Sequence, residues 1–277
     1  MNLKQQDIDD LINVVRRAGA EMIMPRFRRL TDDDIETKSG PKDLVTVADR
    51  AAEEAIRADV EKILPGAVVV GEEAVAADAR LLDAIGTCET CVIVDPIDGT
   101  GNYVAGVAVF GTIIAVVHKG QTVFGLLYDP VLDDWMIAHR GAGASFHRSD
   151  GTVTTIQSRN GNFTLDQASG FVALDDYDPE TRRIVRRGFD PVFYIRDIRC
   201  SCHEYRLVAS GSVDFLVSRA LKPWDHAAGL LLLEEAGGWS AVNGQRPYSP
   251  TLREGRIVAA GSEALGRNIA ELAASLP

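Results

Sequence analysis

Asp95 and Asp98 stand three residues apart in the run V-D-P-I-D-G-T-G-N-Y (residues 94–103), with Pro96 between them and Gly99, Thr100 and Gly101 behind. Two carboxylates on one short turn repel each other unless a cation sits between them, and hard divalent ions with oxygen ligands answer that need. The carbonyl of Ile97 is a third possible oxygen. The spacing lacks the D-x-[DN]-x-[DN]-G pattern of an EF-hand, which argues against a calcium loop. The amides of Gly99, Thr100 and Gly101 would suit a phosphate if a helix or turn starts there. The same residue types also make an ordinary polar turn.

Two other segments place carboxylates where apolar runs end. Val69-Val70-Gly71-Glu72-Glu73 reads as a strand closing on acids, and Pro223-Trp224-Asp225 puts Asp225 at the head of an apolar helix. Each has a plainer meaning, Glu72 as a solvated strand end and Asp225 as a helix cap.

The elements around these residues follow from periodicity. Ile8, Leu11, Ile12, Val15, Ala18, Met22 and Ile23 recur at helical spacing, so a helix is predicted over 7–27. Residues 31–46 are charged and rich in breakers and read as a mobile loop carrying Lys38 and Lys42. A second helix is predicted over 47–64, stopped by Pro65-Gly66. Short apolar runs follow at 67–70, 92–94, 107–118, 122–128 and 135–138, the last three separated by short turns as in an antiparallel meander. Pro96 is expected to end the strand beneath Asp95. Later come a weak helix over 179–187, strand-like runs at 192–198 and 214–217, and a strong helix over 225–236 closed by Gly237-Gly238. The pattern predicts a mixed α+β layered domain in two halves, 1–150 and 151–277, meeting near 145–155.

At 277 residues, 46% of them hydrophobic, the chain can bury a sizeable core. A formal charge of -11 argues against wholesale binding to nucleic acid or anionic membrane. No apolar run reaches the roughly 20 residues a membrane span needs. Residues 1–11 are too polar for a signal peptide, so a cytoplasmic location is expected. The cysteine pairs Cys88/Cys91 and Cys200/Cys202 do not have zinc-ribbon spacing and read as reduced, partly buried thiols.

Taken together, the segments resemble the inositol monophosphatase family of magnesium-dependent, lithium-sensitive phosphomonoesterases, which has a bacterial suppressor-protein branch. The family's G-E-E corresponds to Gly71-Glu72-Glu73, and its D-P-[IL]-D-G-T with Asn-aromatic to Asp95 through Thr100 with Asn102-Tyr103. Its W-D corresponds to Trp224-Asp225, and its K-x-x-x-D-L-V-T-x-x-D loop to Lys38 through Asp49. The resemblance implies an α-β-α-β-α sandwich, a homodimer, a small phosphorylated substrate and two to three Mg²⁺ per site. It places one ion on Glu72, Asp95 and the Ile97 carbonyl, and a second on Asp95, Asp98 and Asp225. It makes Thr100 and Asp49 a hydrogen-bonded pair orienting the metal-activated water, gives the phosphate to the Gly99 and Thr100 amides, and sets Lys38 in the active-site loop. Paired ions roughly 3.5–4 Å apart suit in-line phosphoryl displacement.

The alcohol half of the substrate is where this chain departs from the inositol enzymes. Their Gly-Ser-Ala-Ala run and a glutamate seven residues before the W-D aspartate touch the inositol hydroxyls. Here those positions hold Arg199-Cys200-Ser201-Cys202 and Ser218, making Ser201 and Ser218 candidate substrate contacts. Arg199 or Arg219 would favour a more anionic substrate, and His203 and Glu204 are read as structural. The resemblance implies an inositol-1-monophosphatase-like phosphomonoesterase, with another monoester (histidinol phosphate, a sugar phosphate or a 3′-phosphonucleotide) and a regulatory binding role as the alternatives.

Overall fold

The structure is a computed structural model that describes residues 3–38, 40, 43–161, 164–174 and 177–277. Lys42, expected in the active-site loop, lies outside the described residues. The amphipathic N-terminal pattern forms α1 (Gln5–Ala18), with Asp7 in its first turn and Arg16 and Arg17 in its last. That order suits the helix dipole. The predicted single helix does not run regularly to residue 27. It widens into a π-turn over Gly19–Ile23 and tightens into a 3₁₀ turn over Met24–Arg26. Two contacts explain the change: the Tyr128 ring packs where a Cβ on Gly19 would stand, at 2.8 Å, and the Tyr103 hydroxyl donates to the Ile23 carbonyl at 2.7 Å. Pro25, inside the 3₁₀ turn, adds a further cause, since it has no N–H to continue the helical ladder.

The stretch read as a loop contains an antiparallel pair, β1 (Ile35–Thr37) and β2 (Leu44–Thr46), with Ile35 opposite Thr46. Thr46 then caps α2 (Val47–Ile63), its hydroxyl accepting from the amides of Ala48 and Asp49 while Asp49 returns a bond to its backbone. Such a capping box fixes where the helix starts.

β3 (Val68–Gly71) leads through α3 (Glu72–Ala77) and α4 (Ala84–Thr87) into β4 (Thr90–Asp98), which is followed by the short α5 (Thr100–Val104). The meander β5 (Gly111–His118), β6 (Gln121–Asp129), β7 (Asp134–His139), β8 (Gly143–Arg148) and β9 (Val153–Thr155) completes a seven-stranded sheet in the order β3-β4-β5-β6-β7-β8-β9. A second sheet has the order β11-β10-β12-β14-β13. It comprises β10 (Ser169–Val172), β11 (Tyr194–Arg196), β12 (Phe215–Ser218), β13 (Trp239–Val242) and β14 (Ile257–Ala260). Its helices are α6 (Pro179–Gly188), α7 (Ser201–Ala209), α8 (Pro223–Glu235) and α9 (Glu263–Ala274).

Three cores define five layers. The first joins Leu11, Val15, Ala52 and Ile56 of α1 and α2 to Val92, Val94 and Ile114 on one face of the large sheet. The second joins the opposite face, through Ile93 and Ala115, to Tyr205, Ala228 and Leu231 of α7 and α8 and on to Leu216 and Ala259 of the smaller sheet. The third packs Phe215 and Val258 against Val185 of α6 and Ile269 of α9. α8 is buried nearly all round because it lies between two sheets, which explains its apolar composition. The order helix, sheet, helix, sheet, helix agrees with the layered α+β expectation.

Candidate active site

Pro96 does not end its strand. β4 continues to Asp98 through an irregularity in which Pro96 and Ile97 face the single residue Thr112 of β5. Proline is tolerated at such a bulge because no ladder N–H is required there. The Thr112 hydroxyl donates to the Pro96 carbonyl at 2.9 Å. In a regular strand, residues three apart point to opposite faces. The extra residue instead leaves Ile97 in the α1/α2 core and brings Asp98 to the face that also carries Asp95.

One oxygen from each of Asp95, Asp98 and Asp225 lies within 4.8 Å of the others. Asp225 reaches them from the first turn of α8, whose cap position is Lys222 and not Asp225 itself. Asp95 is 2% exposed, and its Oδ1 has no hydrogen-bond partner among the described residues. Burial, then the charges of Glu72, Asp98 and Asp225, hold its carboxyl well above the usual range. A buried carboxylate oxygen aimed at two other carboxylates is destabilising unless a cation or proton joins it. This donor set fits a hard divalent ion.

Asp98 is fixed from the other half of the chain. The amides of Ser201 and Cys202, at the start of α7, donate to its carboxylate, and the Cys200 thiol lies 3.1 Å from Oδ2. Burial raises its carboxyl to about 6, against the lowering effect of those donors. Cys202 also fits because Gly111 has no side chain: a Cβ there would stand 2.5 Å from its Sγ.

Glu72 is the first residue of α3, and the Lys38 ammonium bridges it at 2.9 Å and Glu73 at 3.0 Å. Burial lowers the Lys38 pKa, but Glu72 and Glu73 outweigh it, so the group stays protonated. Burial and Glu72 push Glu73 up to about 7. The glycine of G-E-E has a packing reason: Glu53 caps α3 through the amides of Glu73 and Ala74, both at 2.8 Å, and a Cβ on Gly71 would stand 2.2 Å from its Cδ.

The Thr100 hydroxyl lies 3.1 Å from Asp49 Oδ1 and 3.0 Å from the Ile97 carbonyl. Burial raises Asp49 to about 6, against two bonds from Thr46. Gly99 precedes α5 at φ 85, a conformation that favours glycine, and a Cβ there would meet the Val109 carbonyl at 3.0 Å. The Thr100 and Gly101 amides open α5, so they have no acceptor within the helix. Asn102 ties this turn to the other half, donating to the carbonyls of Val109 and Ile198 at 2.8 Å each.

Ser201 sits at the head of α7 beside Asp98. Ser218 is 8% exposed, and its hydroxyl lies 3.5 Å from both His226 Nε2 and the Ala220 carbonyl, so its polar group is engaged in the interior. Lys222 was not marked by any sequence motif. Asp225, ahead of Glu72 and Asp95 and against the effect of burial, holds it firmly protonated. Its only sequence signal is adjacency to Trp224-Asp225. A cavity of about 510 Å³ lined by Lys38, Asp43, Glu72, Glu73, Lys222 and Trp224 opens beside the carboxylates. A larger one of about 820 Å³ is walled by Arg219, Arg253 and Arg256 and includes none of them.

The layered fold carries a cluster of three acids, Asp95, Asp98 and Asp225, that could hold a metal ion. Residues 4–276 match the family model described as "Inositol monophosphatase family", and the chain belongs to that family. It is 32% identical over 272 residues to the inositol-1-monophosphatase of Bacillus subtilis, covering 96% of each chain. It is 30% identical over 279 residues to the Nus factor SuhB of Pseudomonas aeruginosa, covering 96% of this chain and 97% of that one. Among solved structures, an inositol monophosphatase of Thermotoga maritima superposes with a TM-score of 0.80 at 26% identity, covering 97% of this chain and 96% of that one.

Proposed function

We propose that the chain is a Mg²⁺-dependent phosphomonoesterase acting on a small phosphate monoester in the cytoplasm, as a homodimer. The observation that carries this reading is the buried oxygen of Asp95, which has no hydrogen-bond partner among the described residues and is set among Asp98 and Asp225. Asp95, Asp98 and Asp225 would hold one ion, and Glu72 with Asp95 and the Ile97 carbonyl another. Such ions supply Lewis acidity toward phosphoryl oxygens and toward the attacking water.

The chain's own groups do the rest. The Gly99 and Thr100 amides receive the phosphate at the head of α5. The Thr100 hydroxyl directs its hydrogen to Asp49 or Ile97, leaving its lone pairs to accept from a water and so orient that water's oxygen toward phosphorus. Asp49, its other oxygen locked by Thr46, is placed to hold the released proton through Thr100. Lys38 and Lys222 offset the acidic cluster and draw a phosphate toward an otherwise negative molecule.

A binding role of the kind that the Pseudomonas relative's name indicates would leave this carboxylate set without a task, which favours the enzymatic reading. Phosphate release tests it, with purified chain, varied Mg²⁺, added Li⁺ and a panel of inositol 1-phosphate, histidinol phosphate, sugar phosphates and 3′-phosphonucleotides. Mg²⁺-dependent turnover that Li⁺ inhibits is expected. Full turnover in EDTA, or none on any monoester, would sink the proposal.

A further inference from the structure

The carboxylate site makes no use of the pair Cys88 and Cys91. Cys88 caps the C-terminal end of α4, its amide donating to the Ala84 carbonyl at 2.9 Å. Cys91 is the second residue of β4, opposite Val68 of β3 and Val117 of β5. The chain bends at Cys88 and Glu89, and the Glu89 carbonyl accepts from the Lys119 amide at 2.8 Å, which pins the bend to the β5–β6 turn. Cys91 belongs to the second core and Cys88 packs against it. There the two thiols, both free, lie within hydrogen-bonding reach of each other.

Their surroundings assign them different roles. Cys91 is 1% exposed, and burial, then the neighbouring Cys88, raises its thiol pKa. Cys88 is only half-buried, so a small reagent meets it first. Thiol–disulfide exchange runs through an accessible thiolate, with a second thiol close enough to resolve the mixed disulfide. The other two cysteines lack that access. Cys200 and Cys202 are fully buried, and burial holds both thiols well above the usual range. Their sulfurs are occupied, Cys200 at 3.1 Å from Asp98 Oδ2 and Cys202 at 3.7 Å from the Tyr128 carbonyl.

We propose that Cys88 and Cys91 form a redox modification site, closing to an intramolecular disulfide when they meet a small disulfide of the oxidised-glutathione class. The Cys88 thiolate attacks one sulfur of the reagent and expels the first thiolate, leaving a mixed disulfide on Cys88. Cys91 then gives up its proton, and its thiolate attacks the Cys88 sulfur and expels the second. Two electrons and two protons pass from the protein to the reagent, which leaves as two thiols. Closure joins the end of α4 to the start of β4. Ladders to β3 and β5 hold that strand on both sides, so Asp95 keeps its register.

The test incubates the full reduced chain, freed of reductant and without denaturant, with oxidised glutathione. The product is then unfolded, alkylated and cleaved with trypsin. The lysines and arginines put Cys88 and Cys91 together on fragment 81–119, and Cys200 and Cys202 on fragment 200–206. Fragment 81–119 should lose both alkyl groups and weigh two hydrogens less than its reduced form, while 200–206 keeps its two. Dithiothreitol should restore both groups. Cys91→Ser should stop at a glutathione adduct on Cys88, and Cys88→Ser should leave Cys91 open to alkylation. A wild-type chain that stops at the adduct overturns the proposal, since the second thiol is then out of reach. Two alkyl groups retained on 81–119, or oxidation falling on 200–206 instead, overturns it as well. Oxidation of Cys91 in the Cys88→Ser chain overturns the assigned order of attack.

Discussion

The Thr100 hydroxyl, at the start of α5, lies 3.1 Å from Oδ1 of Asp49 in the first turn of α2, joining residues far apart in sequence. If this pair orients the water and carries its proton, Thr100→Val and Asp49→Asn should each lower kcat by about 10²–10³-fold. The double variant should lose little more than either single one, because the two act as a unit. Steady-state kinetics of all three variants check this; additive losses would separate the residues.

If Asp95 holds the proposed ion, function opposes stability at that position. Asp95→Asn removes a buried acid crowded by Glu72, Asp98 and Asp225. In EDTA this variant should melt at least about 2 °C higher than the wild type. In Mg²⁺ the order should reverse, because the wild type gains ligand-binding stability that the variant cannot. Thermal melts in both buffers decide it, and a wild type that melts higher in EDTA counts against the cluster as described.

Gly71 should resist substitution for a steric reason. A methyl group there would stand 2.2 Å from Glu53 Cδ and force that carboxylate off the Glu73 and Ala74 amides. Gly71→Ala is expected to cost about 1–3 kcal/mol in urea unfolding. Adding Glu53→Ala should recover part of that loss, and full additivity would mean the clash lies elsewhere.

His147 gives a pH dependence remote from the carboxylates. Stacked on Trp135 at 5.7 Å between centroids, it is held by burial below the ordinary histidine pKa. The unfolded chain therefore takes up the proton first, near pH 6.5, and this contribution to stability is lost as pH falls below that value. His147→Phe should flatten the slope of melting temperature between about pH 6.5 and 5. An unchanged slope would remove His147 from the account.

The early helices and the meander were legible because they rest on local patterns, whereas the grouping of Glu72, Asp95, Asp98 and Asp225 came from the family resemblance and not from periodicity. The apolar stripe of α1, the breakers closing α2 and the meander turns each act within a few residues. The bulge was hidden because it is a property of β4 paired with β5: Pro96 signals a stop until Thr112 is seen opposite both it and Ile97. α7 was obscured because Glu204 and Arg206 are buried along with Cys202 and Tyr205, which erases the polar face a surface helix would show. α9 carries a readable signal, with Ser262 as cap and Leu265 and Ile269 one turn apart. Lys222 became visible only where α8 brings it to the acids.

The irregularity in β4 also explains the spacing of the motif itself. Side chains of a strand obey a rule of parity, and two carboxylates meant for one face should be separated by an even count. Here they are three apart, and the unpaired residue between them restores the parity. The proline and isoleucine are thus a correction term in the arithmetic of the strand. A one-residue deletion between Asp95 and Asp98 that also heals the bulge would leave both acids on the same face. The same deletion without healing would turn one acid into the apolar core.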